Sequence, residues 1–354
     1  MRKESLAFLK QLLATPGPSG FEPPIQKVWC DYVRQFADEV HTDSYGNAVA
    51  VLNGEARPRV LLDGHCDELG LMVKYVDDKG FVYFQTIGGI DPGMLRGKRV
   101  DIRTAKGVVR GVIGASAVHL RERDGDPKVP KVFECWIDIG ADDAKDARRQ
   151  VSVGDHIAFT ELPEMLNDKV LVARACDDRV GIWAAAEAMR IAAAGKPRCA
   201  IYAVSSIQEE LGCFGAAMNV ENVKPDVALA LEVTHATDTP TLDPKRVGDI
   251  KLGNGPTVSL GRENHPTLVQ RLRKVAKAKR IPLQIETFGQ MGGTDALSMW
   301  TKLGGVPSAV IGMPDRYMHS TVEIVALRDL DRTADLVAAF CLDLKKGEQF
   351  RVEV

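Results

Sequence analysis

Apolar residues recur at helical spacing at the start of the chain. Leucines at positions 6, 9, 12 and 13 predict an amphipathic helix over residues 4–14. The proline- and glycine-rich run from Pro16 to Gly20 ends that helix. A second helix is predicted from about Pro24 to Ala37, and two apolar runs, Ala48 to Leu52 and Arg59 to Asp63, predict buried strands.

The pattern changes between Leu69 and Glu164. Glycine and proline turns separate short runs of β-type residues there, and no clear long helix is seen. The predicted strands are Leu71 to Tyr75, Phe81 to Thr86, Arg99 to Arg103, Gly107 to Ile113 and Asp155 to Thr160. This spacing is typical of a small β-barrel or sandwich.

Strands and helices alternate from Val170 onward. Helices are predicted at Val180 to Ala193, Pro266 to Lys279, Asp295 to Thr301 and Asp329 to Leu344, and strands at Ala200 to Ser206, Val227 to Val233, Leu283 to Phe288 and Ser308 to Gly312. This alternation predicts an α/β layer with a mainly parallel sheet. The first 68 residues hold too few strands to stand alone. We therefore predict one α/β catalytic domain from residues 1–68 and 165–354, interrupted by a β domain at residues 69–164.

Composition narrows the function classes. The chain is 45% hydrophobic and 27% charged, as in ordinary globular proteins. A formal net charge of -2 gives no electrostatic reason to expect nucleic acid or an anionic membrane as a partner. Basic residues between Arg271 and Arg280 fall at helical spacing, as on a solvated helix face. No segment approaches the ~20 apolar residues of a membrane span, and the first ten residues do not read as a signal peptide.

The number and spacing of the cysteines indicate the redox state of the compartment in which the protein is found. Seven are scattered along the chain, an odd number without a disulfide framework. Free thiols in a reducing compartment are the simplest explanation, so we expect a cytoplasmic protein. Cys66, Cys176 and Cys213 stand beside the candidate residues described next. No pair of cysteines has the spacing of zinc ligands.

Polar residues follow the predicted strands at five places. These are Asp63 to Glu68, Asp177 with Asp178, Glu209 with Glu210, Glu232, and His319. Each set has an ordinary explanation by itself, such as a helix cap, a turn or a hydrogen-bonded histidine. Together they meet at the carboxyl edge of one sheet, where open α/β sheets bind ligands. Carboxylates crowded at that edge would repel one another, and cations would relieve the repulsion.

The residue types indicate which cations. Imidazole with carboxylate oxygens suits zinc, cobalt or manganese better than calcium. Two histidines and three carboxylates suit two ions that share a bridging carboxylate. Two ions about 3.5–4 Å apart would clamp a carbonyl and lower the pKa of a shared water to about 7. A further carboxylate could take the proton of that water. The pattern of His65 and Asp67 suits an aspartate that orients an imidazole.

Several motifs resemble one known family. They are Pro18 to Glu22, His65 to Gly70, Ile87 to Pro92, Asp177 to Gly181, Gln208 to Gly212, Ala236 to Asp238, Gly292 to Ala296 and Arg316 to Ser320. The chain resembles, nearly end to end, the glutamyl aminopeptidase and tetrahedral aminopeptidase family of dinuclear metallopeptidases. One of these motifs alone would be weak, but the set is highly specific.

The resemblance implies roles for the candidate residues. His65 binds one metal ion, and Asp67 orients the site. Asp177 bridges the two ions, and its peptide bond to Asp178 is cis. Glu209 is the general base, a role that the spacing of Glu209 and Glu210 does not assign. The remaining ligands implied by the resemblance are Glu210, Glu232 and His319.

Two departures from the family pattern stand out. The family often has aspartate at the position of Glu232, so the longer side chain puts the geometry of that ligand in question. Ala117-Val118-His119 replaces a more usual proline before the histidine of the inserted domain. The resemblance implies that this domain is a PDZ-like dimerisation module, and that dimers assemble into a dodecamer around an enclosed chamber.

The leading hypothesis is an aminopeptidase that removes N-terminal residues from peptides with two zinc or cobalt ions, or manganese. The segments Val247 to Gly261 and Phe288 to Thr294 are the candidate lining of the side-chain pocket, for which we expect a neutral or aliphatic preference. A glycosidase of the endoglucanase type also uses paired carboxylates, but has no role for the two histidines. We also consider a non-catalytic metal-binding scaffold, and a related deacylase or dipeptidase that uses the same metal site.

Overall fold

The computed structural model describes residues 1–120, 129–290 and 292–353. Its helices are α1 (Lys3–Ala14), α2 (Pro23–Val33), α3 (Ala144–Gln150), α4 (Cys176–Gly195), α5 (Phe214–Val223), α6 (Pro244–Val247), α7 (Pro266–Lys279), α8 (Asp295–Met299) and α9 (Leu327–Asp343). Its first nine strands are β1 (Glu39–Thr42), β2 (Ala48–Leu52), β3 (Arg59–Asp63), β4 (Gly70–Val76), β5 (Val82–Ile87), β6 (Arg99–Thr104), β7 (Gly107–Gly114), β8 (Trp136–Asp138) and β9 (His156–Phe159). The later strands are β10 (Glu164–Asn167), β11 (Val170–Ala173), β12 (Ala200–Ser205), β13 (Val227–His235), β14 (Thr257–Leu260), β15 (Gln284–Thr287), β16 (Ser308–Arg316) and β17 (Glu323–Ala326).

One large mixed sheet forms the centre of the molecule. Its strand order is β1-β2-β12-β3-β13-β16-β17-β11-β10, with β14 and β15 branching from β16. The four central strands β12, β3, β13 and β16 are parallel, while the flanking pairs on both sides are antiparallel. The prediction of a mainly parallel sheet is therefore correct for the centre and wrong for the flanks. Short antiparallel strands such as β1 are half exposed and carry too few apolar residues to be recognised from the sequence.

Apolar residues alternate between the two faces of this sheet. On β13, Leu229 and Leu231 belong to the larger core, which also contains α1, α2, α4, α7 and α9. Ala228 and Ala230 face the other way, towards a smaller core with α5 and α8. Both faces of the central strands are thus buried under helices, as expected for parallel strands. The strands' carboxyl ends remain as the place where polar groups can gather.

The six strands β4 to β9 close into a separate barrel in the order β4-β5-β8-β7-β6-β9. Its own apolar core includes Leu71, Val100 and Ile157. This agrees with the prediction of a β-barrel or sandwich in this part of the chain. A short helix, α3, was not predicted there.

Predicted and observed elements otherwise differ mainly at their ends. The second helix ends at Val33 rather than Ala37. Helix α4 is bounded at Cys176, but Asp177 and Asp178 are non-helical, so its regular part begins close to the predicted Val180. Strand β13 continues to His235, so Glu232 lies inside the strand rather than at its end. All seven cysteines are free thiols. Within the described ranges, no helix has the length and apolar character needed to cross a membrane.

Candidate metal and catalytic site

Helix α4 approaches the ends of the central strands unusually closely. A β-carbon at Gly64 would lie 2.7 Å from the backbone of Gly181 and Ile182, and one at Gly181 would lie 2.0 Å from the carbonyl oxygen of Leu231. Only glycine allows this contact between the start of α4 and the ends of β3 and β13. The close packing places Asp177 at the carboxyl edge of the sheet.

Backbone geometry at the start of α4 is irregular. Asp177 and Asp178 have non-helical backbone angles, and the peptide bond between them is cis, as the family resemblance implied. The buried Asp178 carboxylate accepts hydrogen bonds from the backbone N–H groups of His65, at 3.3 Å, and Gly181, at 3.2 Å. Asp178 therefore holds the backbone of His65 in place. The side chain of Asp177, by contrast, lies at the site.

Asp67 connects the His65 ring to the turn that follows β12. His65 Nδ1 lies 3.3 Å from the Asp67 carbonyl oxygen and 3.4 Å from its Oδ1. The same carboxylate accepts from Ser19 Oγ at 2.6 Å and from the backbone N–H groups of Glu209, at 3.0 Å, and Glu210, at 3.2 Å. Burial alone would raise the pKa of Asp67, but these donors hold it below its usual value. Asp67 is thus an ionised group that orients its neighbours.

Asp177 lies between the two histidines. His65 Nε2 is 3.1 Å from Asp177 Oδ1, and His319 Nε2 is 3.4 Å from Asp177 Oδ2. Burial acts to raise the pKa of Asp177, but the hydrogen bonds from His319 and His65 lower it below its ordinary range. The hydrogen bond to Asp177 also raises the pKa of His319 to about 9. Each oxygen of one carboxylate faces a different imidazole, an arrangement suited to bridging two cations.

His319 is oriented from two directions. Its Nδ1 lies 3.0 Å from the carbonyl oxygen of Gly89, in the loop after barrel strand β5. Its backbone N–H donates to Glu323 Oε1 at 2.9 Å, while the Glu323 Oε2 accepts from the backbone N–H of Asp177 at 3.1 Å. A proton on Nδ1 leaves Nε2 free to bind a cation. The barrel and the large sheet therefore both contribute to the position of this imidazole.

Glu209 and Glu210 follow β12 and face different neighbours. Glu209 Oε2 lies 3.7 Å from His65 Nε2, and its Oε1 accepts from the Cys213 thiol at 3.2 Å. Glu210 Oε2 lies 3.7 Å from His319 Nε2, while its buried Oε1 has no hydrogen-bond partner among the described residues. Burial raises the pKa of Glu209, and burial with the Asp177 charge raises the pKa of Glu210 to about 8.

Glu232 lies close by but is turned aside. It is 5% exposed, and its Oε1 accepts from the backbone N–H of Asp295 at 2.6 Å. Burial and the charge of Glu209 raise the pKa of Glu232. Asp177, Glu210 and His319 have ligand atoms that all lie within 4.8 Å of one another, and within the described part of the chain Glu232 belongs to no such group. His65 belongs to none of these groups among the described residues either, but its Nε2 contacts Asp177 at 3.1 Å. The structure thus brings the other predicted site residues together around Asp177 and Asp67, while Glu232 is turned towards Asp295.

The residues present fit divalent cations. Two imidazole nitrogens and several carboxylate oxygens converge, and Glu210 Oε1 is buried without a partner in the described ranges. A buried, unpartnered carboxylate oxygen is costly in the absence of a cation. This donor set suits zinc, cobalt or manganese.

Several carboxylates around the site were not assigned a role from the sequence. Glu323 lies within β17, and nothing in the local pattern distinguishes it from an ordinary strand residue. Glu68, in a recognised motif but without an assigned role, forms a buried ion pair with Arg174 and another with Arg179, at 2.9 Å in the latter case. Asp295 stands in the Gly292 to Ala296 motif, and a role for it could have been suspected from that motif alone.

A groove lies along the branching strands and has lining residues close in sequence to His319. Tyr317 and Met318 line it next to His319, and it continues past Phe288, Glu286 and Val247. Val247 and Phe288 belong to the two segments predicted to line a side-chain pocket. Met291, within the second segment, lies outside the described residues.

Comparisons with known sequences show which proteins this chain resembles. A family model described as M42 glutamyl aminopeptidase matches residues 46–336. The chain is 35% identical over 343 residues to the lysyl aminopeptidase of Pyrococcus furiosus, covering 96% of this chain and 97% of that protein.

Solved structures give the same result. A TET aminopeptidase from the archaeon Thaumarchaeota archaeon SCGC AB-539-E09 superposes with a TM-score of 0.92 at 34% identity, covering 96% of each chain. The TET1 peptidase of Pyrococcus horikoshii, described as assembling into a tetrahedron or a large octahedral shell, superposes with a TM-score of 0.86 at 31% identity, covering 96% of this chain and 100% of that one. Sequence and fold together show that this chain belongs to the M42 glutamyl aminopeptidase family.

Proposed function

We propose that this chain is a metal-dependent aminopeptidase that hydrolyses the N-terminal residue of peptides with two divalent ions. The observation that carries the proposal is the position of Asp177, whose two oxygens each face the Nε2 of a different histidine. His65, Asp177, Glu210, Glu232 and His319 are the proposed ligands. Zinc or cobalt fits this donor set best, with manganese as the next choice. The ions, when bound, would polarise the scissile carbonyl and lower the pKa of a water between them.

The protein's own residues would do the proton chemistry. Glu209 is the proposed general base: it takes the proton of the attacking water and delivers it to the leaving amine. Its carboxylate is only 13% exposed, and burial raises its pKa, which makes it a stronger base towards the attacking water. Asp67 holds both the His65 ring and the backbone of Glu209, so it sets the distance between ligand and base.

We also propose the domain division and assembly of the family for this chain. The catalytic domain would comprise residues 1–68 and 165–354, and residues 69–164 would form a PDZ-like dimerisation domain. Exposed apolar side chains on barrel strand β7, Val108 and Val112, each 47% exposed, support pairing through this domain. The assembly of the P. horikoshii relative into a tetrahedron or a large octahedral shell supports a large assembly of this chain, which we propose to be a dodecamer built from dimers. The free cysteines support a cytoplasmic location.

The test is the variant Glu209→Gln, assayed on a panel of aminoacyl-anilides with zinc, cobalt or manganese returned to the metal-free protein. The amide keeps the size of the side chain but cannot accept the proton, so kcat is expected to fall by about 10²–10⁴-fold, while the catalytic pair of ions stays bound. Glu221→Gln, on the exposed side of α5, is the matched control. Normal turnover in Glu209→Gln, or activity that survives complete chelation, would contradict the proposal.

Competing functions predict different results in the same assays. An endoglucanase would release reducing sugar without metal, although His65 and His319 have no part in a two-carboxylate mechanism. A scaffold would retain metal and hydrolyse no peptide. A deacylase or dipeptidase would accept blocked N-termini or require a free carboxylate.

A further inference from the structure

A second group of ligand-type side chains adjoins the proposed catalytic centre. The ligand atoms of Glu209, Cys213 and Asp295 all lie within 4.8 Å of one another. This group shares no residue with the group formed by Asp177, Glu210 and His319. Glu209 connects the two clusters through its opposite oxygens, since Oε2 faces His65 and Oε1 faces Cys213.

Asp295 contributes a buried carboxylate that lacks N–H and hydroxyl donors among the described residues. Its side chain is fully buried, and among the described residues no N–H or hydroxyl group donates to Oδ1 or Oδ2; the one side chain that hydrogen-bonds to it there is the Asp63 carboxyl. The nearby carboxylates of Asp63 and Glu232 are buried as well. Burial and the charges of Asp63, Glu232 and Glu209 raise the pKa of Asp295. A proton shared with Asp63 serves only one oxygen of Asp295, and a cation is the kind of ligand that would satisfy the other.

The donor atoms indicate which cation. Two carboxylates with a cysteine sulfur suit zinc or cobalt, and sulfur disfavours magnesium and calcium. Cys213 is only partly buried and adjoins the exposed Phe214, so a cation can reach it from solvent. Burial and the surrounding carboxylates raise the pKa of the Cys213 thiol, an effect that a bound divalent ion reverses as the thiol releases its proton to water.

We propose that Glu209, Cys213 and Asp295 form a third cation site, specific for zinc or cobalt, whose occupation inhibits the enzyme. A cation bound to Glu209 Oε1 occupies the carboxylate that must accept the proton of the attacking water. The site would fill at metal concentrations above those that load the catalytic pair. Its inhibitory effect rests on the proposed role of Glu209, whereas cation binding itself does not.

Binding is tested without reference to activity. Cobalt(II) is titrated into the metal-free full-length chain, and near-ultraviolet absorption from cobalt–thiolate charge transfer is recorded together with the number of ions bound. Wild type should bind three ions and show the thiolate band. Cys213→Ser and Asp295→Asn should bind two, and Cys213→Ser should lose the band. Cys176→Ser, which alters a thiol beside Asp177, is the matched control and should keep it.

Inhibition is tested with zinc on the same proteins. Wild type should be less active at high zinc than at two equivalents of zinc. The zinc concentration that halves activity should be at least about tenfold higher in Cys213→Ser than in wild type. Cys213→Ala serves if the serine variant folds poorly. Absence of the thiolate band in wild type, a band that persists in Cys213→Ser, or equal zinc inhibition in both would overturn the proposal. Peptidase inactivity of wild type at every zinc concentration would instead contradict the proposed function, and the cobalt spectrum would still report on the site.

Discussion

The Oδ1 atom of Asp67 accepts a hydrogen bond from the backbone N–H of Glu209 at 3.0 Å. The same oxygen lies 3.4 Å from the Nδ1 of His65, so a single carboxylate positions a proposed ligand and the proposed base together. Because Asp67 is fully buried, no water can replace it in either contact.

The substitution Asp67→Asn should therefore lower kcat. The amide nitrogen of Asn replaces one of the two oxygens and cannot accept a hydrogen bond there. It therefore faces either the N–H of Glu209, which binds Oδ1, or the Ser19 hydroxyl and the N–H of Glu210, which bind Oδ2. The loss of a group that orients metal ligands typically costs about 10–100-fold in affinity or activity. Steady-state kinetics and metal titration measure both. Asp91→Asn, which alters an exposed carboxylate that also accepts from a backbone N–H, is the control. Equal kinetics for the two variants would contradict the role of Asp67.

The contact between His319 and Gly89 predicts an effect of the barrel on metal binding. A β-carbon at Gly89 would lie 3.3 Å from His319 Nδ1, tighter than ordinary contact. Gly89→Ala should therefore shift the imidazole and weaken metal binding by about tenfold, measured by competition with a chromogenic chelator. At Gly289 a β-carbon would meet no described atom within 4 Å, so Gly289→Ala should leave metal affinity unchanged. An unchanged affinity in Gly89→Ala would show that the loop does not hold the ring.

The buried ion pairs of Glu68 should contribute more to the free energy of unfolding than exposed ion pairs do. Glu68→Gln would leave the buried Arg174 and Arg179 without their counter-charge, at a cost of about 3–5 kcal/mol in the free energy of unfolding. Asp31→Asn, which breaks the exposed pairs of Asp31 with Lys27 and Arg34, should change the free energy of unfolding far less. Urea denaturation measures both values. Similar losses in the two variants would contradict this account.

Glu22 predicts a dependence of stability on pH. It is 4% exposed, and burial raises its pKa from 4.5 to about 7. The folded state therefore binds a proton that the unfolded state releases, so this group's contribution is present below the unfolded pKa and is lost as pH rises through the folded one. Glu22→Gln should remove a decline in the free energy of unfolding of about 3 kcal/mol between these two pKa values. The exposed Glu4→Gln provides the control for denaturation curves across this range, and an unaltered pH dependence in Glu22→Gln would count against the assignment.

The sequence allowed the central strands and long helices to be predicted because their apolar periodicity is strong. The parallel strands β12, β3, β13 and β16 bring their carboxyl ends to one edge, which is why His65, Glu209 and His319 could be expected to meet. Motif recognition was needed to assign the roles of Glu209 and Glu210, since adjacent glutamates are equivalent in any spacing argument.

Other features depend on tertiary contacts that leave no local pattern. Glu323 looks like an ordinary strand residue until the fold places it beneath the backbones of Asp177 and His319. Cys213 stands four residues after Glu209, but only the turn into α5 brings its sulfur to the carboxylate. The position of Glu232 within β13 also depended on how far that strand continues, which neighbouring β16 determines by pairing through His235.

The hydrogen bond from the barrel to His319 has a consequence for assembly. Because the Gly89 carbonyl favours one orientation of a metal-binding ring, the free energy of metal binding is linked to the position of the barrel. Linkage is reciprocal: a subunit contact that fixes the barrel in this position strengthens metal binding, and bound metal strengthens that contact by the same free energy. The metal content of the protein and its state of association should therefore vary together.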